Sequence, residues 1–208
     1  MSMSTPYEQT GRTHQKARTR AGMLAATREL LAEGVTPTVE QAAARAAISR
    51  TTAYRYFANQ RALLLASHPE LDADSLLDGE SPADAVARLE VVSERFGRQM
   101  IEHEPQLRAM LRLSLETPAP PRDALPLRQG RAIVWIEDAL APLRRRMPEA
   151  DLRRLVLAIR ATLGIEALVW LTDIGGLSRE QAVDLMRSSA RTLLRAALDD
   201  AGIADGSL

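Results

Sequence analysis

The stretch "ISRTTAYRYF", residues 48–57, concentrates groups that can read nucleic acid. It holds three of the chain's seven aromatic residues, Tyr54, Tyr56 and Phe57, beside Arg50, Arg55, Thr51 and Thr52. Arginine can hold guanine O6 and N7 with two hydrogen bonds, and threonine can bond base edges or touch a thymine methyl. Tyrosine hydroxyls can hold phosphates. On a helix turning about 100° per residue, Ala53 and Phe57 share a face with Ile48, while Thr51 and Arg55 point almost directly away. Arg50 sits at the exposed N-terminal end, and Thr52 and Tyr54 lie on the flanks. The apolar residues anchor such a helix and the polar ones are free to read DNA.

The neighbouring residues supply the elements that would position this helix. Residues 16–33 carry Met23, Leu24, Thr27, Leu30 and Leu31 at helical spacing, and Gly34 stops them. Thr38 and Gln41 have the spacing of a capping box, which opens a helix of about two turns with Val39, Ala42, Ala43 and Ala46 on one face. After a break at Ala47 and Ile48, Ser49 is a good N-cap for residues 50–57. Asn59 can cap a fourth helix that ends before Pro69. Two short helices joined by a tight turn make a helix-turn-helix unit, whose second helix enters the major groove.

Charge supports the same partner. The chain is neutral overall, but residues 1–65 hold nine basic side chains (Arg12, Lys16, Arg18, Arg20, Arg28, Arg45, Arg50, Arg55, Arg61) against four acids (Glu8, Glu29, Glu33, Glu40). The surplus of five suggests a polyanion partner at this end. Residues 1–15 are polar and without periodicity, so they read as a flexible arm. Arg12, Lys16, Arg18 and Arg20 could carry it to phosphates or the minor groove.

The stretches "TRAGMLAATRELLAEG" and "TVEQAAARAAISRTTAYRYFANQRALL" resemble the TetR family of bacterial transcriptional repressors. The Y-x-Y-F end of the reading helix, followed by a capped helix, carries the resemblance furthest. It implies a homodimer that binds a palindromic double-stranded operator and is released by a small-molecule effector. It implies an all-α chain: a helix-turn-helix domain over residues 16–66, and a ligand-binding and dimerisation domain over 67–208. The DNA-contacting residues it implies are Thr38, Ser49, Arg50, Thr51, Thr52, Tyr54, Arg55, Tyr56 and Arg61. Two positions depart from the family. Ala47 stands where glycine is usual, and Asn59-Gln60-Arg61 stands where a serine-lysine pair is common, with Arg61 the candidate for that phosphate contact.

Beyond residue 67 no segment alternates with period two, so the larger part also reads as helical. Helices are expected over about 82–102 after Ser81, then 105–116, 127–146, 149–172 and 179–201. The proline-rich "TPAPPRDALP" is a loop, and a capping box is expected at Ser178 and Gln181. Residues 149–172 are apolar almost all round, which requires burial on more than one side. The small residues Ala158, Ala161, Gly164 and Ala167 permit close helix approach, and Leu185, Met186, Ala190, Leu193 and Ala197 offer a second apolar stripe. Homodimerisation through these last two helices follows.

Phe96, Met100, Met110, Leu113, Trp135 and Trp170 are candidates to line an apolar effector pocket, each with plain core packing as the alternative. Arg160 interrupts the apolar face. It can hold a carboxylate or phosphate of a ligand, or pair with Asp138, Glu137 or an acid of a second subunit; Glu166, six residues on, shares no helical face with it.

Other classes find little support. There is no cysteine, no G-x-S-x-G, no P-loop and no G-x-G-x-x-G, and His14, His68 and His103 lack metal-ligand spacing. No catalytic residue, metal or cofactor is implied. No apolar run long enough to span a bilayer and no hydrophobic signal core are read, so a cytoplasmic protein without a membrane partner is expected. The remaining alternatives are a DNA-binding dimer without a small-molecule ligand, protein-regulated or architectural, and, more remotely, a small all-α enzyme.

Overall fold

A computed structural model describes residues 6–67, 73–79, 81–116 and 131–203, which form helices and turns with no strand among them. The described residues fall into two units, one up to residue 67 and one from residue 73 onward.

The first unit contains α1 (Pro6–Ala32), α2 (Val39–Arg45), α3 (Arg50–Tyr56) and α4 (Gln60–Ser67). Helices of seven residues cannot stand alone in water, so packing and caps must hold α2 and α3. Thr38 accepts from the Gln41 amide at 3.2 Å while Gln41 accepts from the Thr38 amide at 2.8 Å, completing the expected box. Ser49 accepts from the Thr52 amide at 3.3 Å, and Asn59 Oδ1 from the Ala62 amide at 2.8 Å. Met23, Leu24, Val39, Ala42, Ala43, Ala53, Phe57 and Leu63 form one buried cluster. Burying a leucine- or phenylalanine-sized side chain contributes about 1.5–3 kcal/mol, which outweighs a cap at about 1 kcal/mol.

The turn between α2 and α3 explains how alanine replaces glycine. The Ile48 amide donates to Ala43 O at 2.8 Å and the Ala47 amide to Ala44 O at 3.2 Å. This is the hydrogen-bond pair of a Schellman ending, with its C′ residue left-handed. The same pair ends α1 at Gly34 (φ +78°) and closes the last helix at Gly202 (φ +65°). At the middle site the left-handed residue is Ala47 (φ +54°), the one non-glycine with positive φ among the described residues. Its Cβ costs roughly 1–2 kcal/mol, which the geometry of the turn outweighs.

α1 begins at Pro6, ten residues before Lys16 and within the 1–15 segment expected to be a flexible arm. Proline suits the first helical position, where its missing N–H is not needed. Lys16, Arg18 and Arg20 therefore lie on a helix, and Arg20 stacks its guanidinium 5.7 Å from the Phe57 ring centre. Residues 1–5, the Arg12 side chain, His68, the 117–126 loop and Leu127 lie outside the described residues.

The second unit contains α5 (Ala85–Glu102), α6 (Glu104–Glu116), α7 (Arg131–Ala139), a 3-10 turn (Ala141–Arg145), α8 (Glu149–Thr162), α9 (Ile165–Val169), a wide π turn (Trp170–Ile174) and α10 (Arg179–Asp200). Asp84, rather than Ser81, caps α5, accepting from the Ala87 amide at 2.8 Å. The expected 127–146 helix tightens into the 3-10 turn after Ala139, at Pro142. Ser178 and Gln181 form the expected capping box of α10. Gly97 lets α5 approach α10, because a Cβ there would lie 2.5 Å from Val183 Cγ1. Leu89, Val92, Phe96, Trp135, Ile136, Val156, Ile159, Met186 and Leu194 share the buried core.

The expected 149–172 helix is not continuous. It breaks at Leu163 and at Gly164, whose backbone is fully extended (φ 177°, ψ 169°). By length and composition, residues Glu149–Ile174 do suffice to cross a membrane, contrary to the expectation that no such run exists. Here Leu155, Val156, Ile159, Leu163 and Leu168 are buried in the core of the second unit.

Candidate nucleic-acid interface

α3 is fixed from beneath by Ala53, fully buried, and Phe57, 3% exposed, so its opposite face is fixed as well. Thr38, Ser49, Arg50, Thr51, Tyr54 and Arg55 are exposed, and Thr52, Tyr56 and Arg61 are half-buried. α2 is held to the turn that ends α1 by Arg45, which donates to both carboxylate oxygens of Glu33 at 2.8 and 2.9 Å. That contact draws the Glu33 carboxyl below its ordinary value. Gln60 makes a structural link, donating to Pro37 O at 2.9 Å.

Within the exposed face, side chains divide by engagement. Thr51 and Arg55 have no hydrogen-bond or ion-pair partner among the described residues. Arg50 and Tyr54 both meet Glu40, on the second residue of α2: Tyr54 Oη donates to Glu40 Oε1 at 2.6 Å, and Arg50 Nη2 lies 3.1 Å from the same oxygen. Arg50 also sits 5.7 Å above the Tyr54 ring, within cation–π range. The Tyr54 hydrogen bond lowers the Glu40 carboxyl from its ordinary value, and the same bond raises the Tyr54 phenol. Sequence reasoning counted Glu40 only as an acid. Its signal lay in the two residues that turn out to face it across the turn.

The candidate pocket residues differ in burial. Phe96, Met100 and Trp135 belong to the buried core, with the Phe96 and Trp135 rings edge to face at 5.3 Å. The Trp135 indole donates to Ala73 O at 2.7 Å. Met110 and Leu113 are half-buried on α6. Trp170 is 60% exposed, because the π turn that begins there carries it outward. A cleft of about 610 Å³ is lined by Glu137, Arg144, Glu149, Leu152, Arg153 and Val156.

Arg160 pairs with Glu166 at 3.3 Å and donates to Leu163 O at 3.1 Å. The expected partners are already engaged: Asp138 receives Arg88 at 3.2 Å, and Glu137 receives Arg153 at 2.5 Å. Sharing a helical face is not required once the helix is broken at Gly164.

The family model for bacterial regulatory proteins, tetR family, matches residues 23–67, which span the buried half of α1 through α4. The SmeT–triclosan complex has a similar fold, with a TM-score of 0.52 and 19% sequence identity, over 91% of this chain and 96% of that one. No curated protein matches the chain. Residues 23–67 thus form a tetR-type helix-turn-helix with a polar outward face, followed by a larger helical unit.

Proposed function

We propose that the chain is a cytoplasmic, ligand-released repressor that binds a palindromic operator as a homodimer. The observation that carries this reading is the exposed, unengaged pair Thr51 and Arg55 on a helix whose other face is locked by Ala53 and Phe57. Arg55 and Thr51 read base edges, while Thr38, Ser49, Thr52, Tyr56 and Arg61 position the helix through phosphates.

Dimerisation is supported by apolar surface that a single chain leaves uncovered. α8 buries Leu155, Val156 and Ile159 yet exposes Leu157 at 42%, and α10 buries Met186 and Ala190 yet exposes Leu185 at 46%. A second copy would cover both faces in a four-helix interface. Two-fold symmetry then requires a palindromic site, with half-sites about one helical turn or a multiple of it apart.

A small-molecule effector is supported by the fold shared with SmeT, which is held in complex with triclosan. Effector bound in the larger unit would shift α4, which leads the chain out of the DNA-binding unit, so that paired α3 helices no longer fit successive grooves. Such release requires the effector to favour the non-binding conformation, typically by about 1–3 kcal/mol.

The reading is tested by selecting duplexes from a randomised pool and measuring stoichiometry. A motif with dyad symmetry, bound by two protomers and released by a compound that also raises the melting temperature, supports it. An asymmetric motif bound by one protomer contradicts it. A ligand at about 100 times its Kd adds roughly 2.7 kcal/mol of stability, so a thermal-shift screen can find the compound.

A further inference from the structure

Glu40 places a carboxylate on the face that meets DNA, where nearby phosphates repel it. Its Oε1 is shared by Tyr54 Oη at 2.6 Å and Arg50 Nη2 at 3.1 Å, which fixes the carboxylate at the edge of α3. The side chain remains 38% exposed. An acid so placed gains nothing from the backbone of the duplex. It is favoured only where a base offers it a hydrogen-bond donor. The major groove has two, cytosine N4 and adenine N6. Adenine N6 stands beside the N7 acceptor of its own base, which repels a carboxylate. Cytosine N4 has no such neighbour on its base. The guanine paired with it presents O6 and N7, the acceptors that arginine holds with two bonds.

We infer that Glu40 and Arg50, locked together by Tyr54, read one C·G base pair in each half-site, with Glu40 on cytosine N4 and Arg50 on the paired guanine. This inference rests on the reading of α3 as a sequence-specific DNA helix. It makes Glu40 a specificity-determining residue on α2, outside the recognition helix. The lowered carboxyl of Glu40 keeps it an acceptor through the physiological range.

The test is duplex selection from a randomised pool by the full-length protein, in parallel with Glu40→Ala, Glu40→Gln and Tyr54→Phe. Wild type should enrich a motif with a C·G pair at one fixed position per half-site, preferred about tenfold or more, the scale of a good base contact. Glu40→Ala should lose that preference and keep the others. Glu40→Gln should move it toward adenine, which an amide can hold at N6 and N7. Tyr54→Phe should weaken it without changing its identity. An unchanged motif in Glu40→Ala, with uniformly tighter binding to every duplex, would make Glu40 a mere rival of phosphate and overturn the inference alone. Failure of wild type to enrich any motif would overturn both the inference and the reading beneath it.

Discussion

Arg160 and Glu166 meet at 3.3 Å across Gly164, and the space they use is the space a side chain at Gly164 would occupy. A Cβ built there would collide with Arg160 Nη1 and lie 2.7 Å from Glu166 Oε2. The backbone at Gly164 is extended, which any residue can adopt, so the glycine is required for room and not for conformation. Gly164→Ala should therefore push the guanidinium away and leave Leu163 O without its donor. The expected loss is about 1–2 kcal/mol, read as a lower midpoint in urea unfolding. A midpoint equal to wild type would show that the ion pair is not held by this gap.

Ala47 makes the opposite prediction. Gly34 and Gly202 perform the same helix ending without a Cβ. Ala47→Gly should stabilise the DNA-binding unit by roughly 1 kcal/mol, seen as a higher unfolding midpoint. DNA affinity should be unchanged, because the variant relaxes the turn without moving α3. A destabilised Ala47→Gly would mean that the entropy of the added glycine outweighs the strain.

Much of the fold was legible because caps are local. Thr38 with Gln41, Ser49, Asn59, and Ser178 with Gln181 act over three residues, so their spacing in sequence is their geometry in space. The outward face of α3 was legible for the same reason. What escaped was decided by distant partners. Gly164 in an apolar run reads as a small residue for close packing, and only the break it allows brings Arg160 to Glu166. Glu40 and Tyr54 are fourteen residues apart, and no periodicity links them. Pro6 did carry a signal for the start of α1, but the polar residues after it show no core-facing stripe.

Acid should loosen the second unit through a carboxylate network. Arg108 donates to both oxygens of Asp173, at 2.7 and 2.8 Å, and to Glu104 at 2.7 Å; Arg179 also pairs with Glu104. Hydrogen bonds from Arg108 and then Thr172 hold Asp173 at about 2, below its ordinary 3.8. Burial raises the Glu104 carboxyl, and the bonds from Arg179 and Arg108 outweigh it, for a net lowering. Both groups are harder to protonate folded than unfolded. Their stabilisation is present above the ordinary carboxylate range and is lost as pH falls toward about 2. Asp173→Asn should flatten the pH dependence of unfolding over that range and leave it unchanged near neutrality. A slope identical to wild type would remove Asp173 from the account.

The proposed dimer interface offers a further check. Leu157 and Leu185 are exposed on α8 and α10 in the single chain. Replacing both with glutamate should convert a dimer into monomers in sedimentation, since unpaired charge is costly in a closed apolar interface. Binding to a palindromic duplex should weaken in parallel. Unchanged sedimentation would move the interface elsewhere.

The central claim is that the outward face of α3 reads sequence. The most direct measurement is fluorescence anisotropy of wild type and Arg55→Ala on the selected duplex and on a scrambled duplex of equal length, at two salt concentrations. The account predicts tight binding by wild type to the selected duplex only, weakened by salt. Arg55→Ala should lose about 1–3 kcal/mol of that preference, with its binding to the scrambled duplex little changed. Equal affinity of wild type for both duplexes, or a preference that survives Arg55→Ala intact, would contradict it.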